Sequence, residues 1–354
     1  MRASLYVLSG LLGGIGFLAL AAPGRFAAQV ATPAAASAPA RRITLDVVVT
    51  DHSGNPVRGL QQQDFTLLDD KQPQTIVAFR VADGSNQAED PPVDAILVLD
   101  RINPTFQTVS SEEQQLKGYL QAGAGGELPL PTSLLFLSDT EGNRTPSTRD
   151  GKALMDSLNS SAYGLRAIRR TQGFNGGVDR ANRSLGALQQ IVSSEVNQPG
   201  RKLVVWLGPA WPILTGPNVR LSNKDRNALF QAIVSVSTAL RETRMTLYNV
   251  SFPGTLSGNF YYETFLKGVS SANSVQNGNL SLQVLAVQSG GLVLNRSNDL
   301  AASITTCQAD AKVYYTLAFD PPPAKHSDEY HNLQVKIGRP GLTVRTRTGY
   351  YAQP

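Results

Sequence analysis

VDAILVLDRINPT, residues 93–105, is the stretch whose reading decides the fold. From Ala95 to Leu99 it is apolar without interruption, then it meets Asp100 and breaks into Arg101, Ile102, Asn103 and Pro104. A short run that is apolar on both faces predicts a strand buried in a parallel sheet. A carboxylate just past its end stands where open α/β sheets place their ligands, outside the carboxyl edge of the strands. Asp100 is therefore the first residue to weigh as part of a site.

Downstream of this strand the pattern alternates between strands and helices, the signature of a parallel sheet with crossover connections. The spacing predicts helices over residues 110–121, 150–158, 178–196, 222–244, 280–288 and 299–311. Ser110, Asp150 and Ser222 read as N-caps, and Glu112 and Glu113 as first-turn acids that suit the helix dipole. Strands are predicted over 133–137, 202–207, 245–251 and 292–294. Residues 160–177 read as a loop containing Gly and Arg.

Upstream, residues 43–50 are rich in β-branched side chains and run into the turn cluster Asp51-His52-Ser53-Gly54-Asn55-Pro56. Further strands are expected over 65–68 and 75–81, divided by a turn at 69–73. Residues 312–319, 330–337 and 342–351 return to strand character at the other end. Three strands make a marginal sheet by themselves. Each end needs the other, and domain termini tend to lie close together. The expected fold is α/β plus β: a doubly wound, mostly parallel sheet (93–311) inserted in a β-sandwich built from N-terminal (41–82) and C-terminal (312–354) strands.

Residues 1–22 carry the marks of an export signal: Arg2, an apolar Gly-rich run, and Ala19-Leu20-Ala21 as a small-x-small cleavage pattern. Residues 23–40 are an Ala/Pro-rich linker with nothing to pack. The expectation is an exported protein, periplasmic or extracellular, with no integral membrane span once the signal is cleaved. A retained N-terminal anchor is the alternative. At 41% hydrophobic and 17% charged residues the composition is globular. A net charge of +5, spread along the chain, lacks the concentrated basic face that a nucleic-acid partner requires. Cys307 is the single cysteine, so no disulfide, Cys-based metal cluster or thiol redox pair can form within the chain.

Residues 43–79, ITLDVVVTDHSGNPVRGLQQQDFTLLDDKQPQTIVAF, resemble the opening of the bacterial VWFA-related family best known from acidobacteria. Asp51, Gly54, Pro56, Val57, Gly59, Leu60, Asp64, Phe65, Pro73 and Gln74 stand at the positions of its pattern. YYTLAFDP and LTVRTRTGYYA match its closing strands, with Arg347, Gly349, Tyr350 and Tyr351 at the end. The resemblance implies a von Willebrand factor A-like domain between sandwich strands. It also implies a magnesium site built from Asp-x-Ser-x-Ser after the first strand, a Thr at a later helix and an Asp after the fourth strand. A hard divalent cation wants oxygen ligands in near-octahedral geometry. Here Asp100 matches the first Asp, but the two serine positions fall on Ile102 and Pro104. The Thr position falls near Val178, and the last Asp falls near Gly208 or Pro209. The implied metal-dependent adhesion site is therefore degenerate, and no cofactor is expected. The residual oxygen donors for a non-standard site are Asp100, Asn103, Asp139 and Asp179.

Nothing else in the sequence assembles an active site. His52, His326 and His331 lack partners at metal-ligand spacing and read as surface residues. There is no Gly-x-Ser-x-Gly elbow. Gly173-Phe174-Asn175-Gly176-Gly177 lacks the Gly-Lys-Ser/Thr ending of a phosphate loop. Trp206 reads as core and Trp211 as an exposed aromatic in a loop at the same sheet edge as Asp100. The expectation is a non-enzymatic interaction module that presents Asp100, Arg101, Asn103 and Trp211 to an unknown protein or envelope component. The alternative is an envelope hydrolase, or a divalent-metal-dependent binding protein with a non-standard site.

Overall fold

The computed structural model describes residues 42–85, 90–122, 127–138, 143–162, 173–212, 221–253 and 261–354. The expected signal and linker (1–40), Asp139 and the arginines of the 163–172 stretch lie outside the described residues. At the centre is a six-stranded sheet in the order β10-β9-β8-β5-β6-β7. These strands are β5 (Val93–Asp100), β6 (Thr132–Leu137), β7 (Asn143–Arg144), β8 (Arg201–Leu207), β9 (Met245–Val250) and β10 (Val293–Leu294). All neighbours are parallel except β7, which runs antiparallel on the β6 edge.

The apolar run of β5 is explained by cover on both sides. Ile96 and Val98 pack with Val204 and Trp206 towards α3 (Gly173–Glu195), α4 (Asn223–Glu242) and α5 (Leu282–Gln288). Leu97 and Leu99 pack with Leu203 and Val205 towards α1 (Phe106–Ala122), α2 (Gly151–Ala162) and α6 (Leu300–Ala309). Alternate side chains thus feed two different cores, so the run is apolar on both faces. Each fully buried Leu, Val or Ile contributes roughly 1.5–3 kcal/mol to this arrangement.

The chain ends build two antiparallel sheets, each from both termini. One has the order β13-β1-β11-β4 and the other β14-β12-β2-β3. They use β1 (Ile43–Thr50), β2 (Phe65–Asp69), β3 (Gln72–Gln74), β4 (Ala78–Ala82), β11 (Tyr314–Phe319), β12 (Glu329–Ile337), β13 (Thr343–Arg345) and β14 (Gly349–Ala352). Ile43, Leu45, Val47 and Val49 meet Tyr315, Leu317 and Phe319 from one sheet and Phe65, Leu67, Leu333 and Val335 from the other. Asp46, on β1, reaches the central unit, pairing with Arg244 at 2.5 Å and accepting from Thr316. Arg345 grips Asp310 beyond α6 from the sandwich side. No helix among the described residues is long and apolar enough to cross a membrane.

Several elements differ from the sequence expectation, each for a local reason. The expected strand 342–351 is two strands in different sheets. Between them the buried Arg347 turns away to donate to the carbonyls of Ser237 and Met245. Only Asp70 and Lys71 form the expected 69–73 turn, both with positive φ (47° and 68°), and Gln72–Gln74 already pairs with β2. Helix α3 begins at Gly173, so the glycine cluster is helical. Helix α1 begins at Phe106, because Thr105 caps it through a bond from the Thr108 N–H at 3.1 Å. Glu112 and Glu113 therefore sit a turn further in and face the interior.

Candidate functional site

The sheet order reverses beside β5. The chain passes from β5 to β6 on one side, then returns to place β8 on the other. A crevice outside the carboxyl ends of β5 and β8 is the expected ligand position of such a sheet. Asp100 ends β5, and Gly208 follows β8. Gly208 has φ +138°, and a Cβ there would lie 2.8 Å from the Asp100 Cβ, so the backbone after β8 can press against the carboxylate only as glycine.

Asp100 is 1% exposed and its carboxylate is surrounded by donors. Oδ1 accepts from the backbone N–H groups of Ile102 and Asn103, both at 3.0 Å. Oδ2 accepts from Asn103 Nδ2 at 2.6 Å and from Trp206 Nε1 at 3.0 Å. Burial pushes the Asp100 carboxyl above its ordinary pKa, while these same four donors pull it back down. Asn103 also donates to Ser184 Oγ on α3 at 2.9 Å. Asp100 and Asn103 are thus brought together, but as a closed hydrogen-bonded loop.

Arg101 points the other way. It is 5% exposed, pairs with Glu113 at 2.7 Å, bonds Ser161 Oγ at 3.0 Å and lies 4.8 Å over the Phe136 ring. Trp211 is 4% exposed and packs edge-on against Trp206 with centroids 5.2 Å apart. The expectation of an exposed Trp211 is corrected: the apolar cluster under the loop takes it in. Arg101 and Asn103 are likewise buried, so none of the three is open to a partner in this conformation. Asp179 pairs with Arg183 one turn along α3 at 2.9 Å, on a half-exposed surface. Among the described residues, neither Asp100 nor Asp179 belongs to a cluster of His, Cys, Asp or Glu able to hold a metal ion. Ile102 and Pro104, at the serine positions, are buried as well.

Sequence reasoning missed two features of this edge. Glu112 is 4% exposed, and its Oε1 has no hydrogen-bond partner. Burial first, then the charges of Asp100 and Glu113, push its pKa up to about 9, so it is a neutral acid at pH 7. The second is Phe106, the first residue of α1, which stands 72% exposed just beyond the Asp100 loop. Placing helix α1 from Ser110 hid both.

No protein-family model matches the chain, and no curated relative matches it. Solved structures do align with it. Human COPII-coat protein Sec24c matches at 10% identity and TM-score 0.37, over 75% of this chain and 44% of that one. Manganese-loaded TRAP of Plasmodium vivax matches at 9% identity and TM-score 0.36, over 80% of this chain and 97% of that one. The Rpn10 VWA domain matches at 12% identity and TM-score 0.28, over 63% and 97%. The chain spans less than half the length of the Sec24c chain. With TM-scores this low, the likenesses decide nothing about function, and the architecture rests on the strand order given above.

Proposed function

We propose that this protein is an exported, non-enzymatic von Willebrand factor A-like protein of the cell envelope, acting as a protein–protein interaction or scaffold module whose metal-dependent adhesion site is lost. The observation that carries this reading is the saturation of Asp100. Four protein donors occupy the carboxylate where a cation would need it bare, and two of them, Asn103 and Trp206, are side chains fixed in the core. A cation would have to displace these donors and leave buried N–H groups unpaired, at roughly 1–3 kcal/mol each. The exposed Phe106 is the apolar anchor that an interaction surface would use there.

Magnesium, manganese and calcium titration calorimetry, with thermal melting, tests the lost site. Added magnesium should leave the melting temperature of the parent and of Asp100→Ala unchanged. A large magnesium-dependent shift in the parent that disappears in Asp100→Ala would overturn the reading. Crosslinking and pull-down from envelope extract, comparing the parent with Phe106→Ala, tests the interaction role. Unchanged capture by Phe106→Ala would remove Phe106 as the anchor.

A further inference from the structure

In the sandwich, two adjacent aspartates, Asp69 and Asp70, meet a histidine 262 residues beyond Asp69, three side chains able to ligate a metal. Asp69 ends β2, Asp70 begins the turn after it, and His331 lies on the adjacent strand β12. One ligand atom from each lies within 4.8 Å of the others. His331 was expected at the surface; it is 7% exposed, with its ring stacked on Tyr350 at 4.9 Å and 23°.

The orientation of each group is fixed from behind. Tyr350 Oη donates to Asp69 Oδ2 at 2.7 Å, leaving Oδ1 turned to His331 Nδ1 at 2.9 Å. The Asn332 backbone N–H donates to Asp70 Oδ1 at 3.0 Å, leaving Oδ2 turned to the same Nδ1 at 3.7 Å. On the far side of the ring, Nε2 is buried without a hydrogen-bond partner and faces Glu329 Oε2 at 3.9 Å. The Nδ1 edge of the ring thus faces two carboxylate oxygens, one from each aspartate.

We propose that Asp69 Oδ1, Asp70 Oδ2 and His331 Nδ1 form a divalent-cation site of zinc-like chemistry on the sandwich, unassigned by any feature of the central domain. The cation replaces the proton between Nδ1 and the aspartates, and the remaining Nε2–H points to Glu329. A metal-bound histidine that directs its second N–H at a carboxylate is the usual supporting arrangement for such ions. One imidazole and two carboxylates suit a borderline cation such as Zn²⁺. With metal–ligand bonds of about 2.0–2.2 Å, tetrahedral neighbours stand about 3.3–3.5 Å apart, which the 2.9 and 3.7 Å separations bracket. The Asp70 side chain, 55% exposed, supplies the entry path and the freedom to adjust, and water completes the coordination. The alternative for the same atoms is the closed Asp69–His331 hydrogen bond with no ion between them.

Titration of the purified, metal-free chain with zinc chloride, and with cobalt chloride followed by visible absorption, separates the two. The expected result is one equivalent bound, with cobalt bands of low coordination number. Asp70→Asn should weaken binding at least tenfold while the metal-free melting temperature holds. Asparagine keeps the acceptor for Asn332 and accepts the positive φ of this turn. Asp100→Ala should bind zinc like the parent, which separates this site from the sheet edge. Absence of zinc binding by the parent at millimolar concentration, leaving the Asp69–His331 hydrogen bond closed, would overturn the proposal. So would undiminished binding by Asp70→Asn. His331→Ala, if it folds, should abolish the cobalt bands.

Discussion

Trp206 on β8 donates its indole N–H to Asp100 on β5 across 3.0 Å, joining two core strands through a buried carboxylate. The bond ties the end of the sheet together and, with Asn103 Nδ2, saturates the Asp100 Oδ2 oxygen. Trp206→Phe keeps most of the ring volume and deletes the donor. It should destabilise the fold by about 1–3 kcal/mol in urea unfolding, the range for losing one partner of a buried charged acceptor. A loss below a few tenths would mean the bond contributes only geometry.

Glu112 makes stability depend on pH. Its folded pKa, about 9, lies above the ordinary 4.5, so between these values the folded state holds a proton that the unfolded state has released. Stability contributed by this group is therefore complete below about pH 4.5 and falls as pH rises towards 9. Between pH 5 and 8.5 the loss amounts to a few kcal/mol, at about 1.4 per unit. Glu112→Gln keeps the shape without the ionisation. It should gain on the parent as pH rises, and urea unfolding at pH 5, 7 and 8.5 should show the difference widening. Parallel pH profiles would contradict a buried neutral Glu112.

Arg101 and Glu113 form a buried ion pair, and deleting either member leaves an uncompensated charge. Glu113→Ala should cost about 3–5 kcal/mol. The double variant Arg101→Met/Glu113→Leu should lose much less than the sum of its single variants. A double-mutant cycle read by chemical denaturation measures this, and additive losses would argue against coupling.

At Gly208 a side chain would meet Asp100 at 2.8 Å in a backbone conformation that suits glycine. Gly208→Ala should lower stability by about 1–3 kcal/mol. Amide exchange should show faster opening at the ends of β5 and β8 than in β12. Protection that stays even across both units would place the strain elsewhere.

The central sheet was legible because burial on both faces leaves a strong local mark. Residues 95–99 and 203–207 are apolar and buried at every step. Helix α4 was legible through Ser222, whose hydroxyl caps the Asp225 N–H as the spacing implies. The closing motif was visible, but its purpose was not. Tyr350 orients Asp69, Tyr351 donates to the Val269 carbonyl, and Gly349 leaves the room that Tyr330 fills. These contacts join segments that nothing in the local sequence links.

The sequence by itself determined the strand–helix rhythm, the need for terminal strands to pair, and the want of a side-chain oxygen at Ile102 and Pro104. Periodicity and side-chain chemistry are local properties, and they survive in one dimension. Only the tertiary structure decided where the charges lie. It turned Arg101 inward to Glu113, closed Asp100 with donors from Asn103 and Trp206, withdrew Trp211 from solvent and set His331 against Asp69. Burial and pairing depend on which distant segments fold against a residue, and that follows from packing the whole chain.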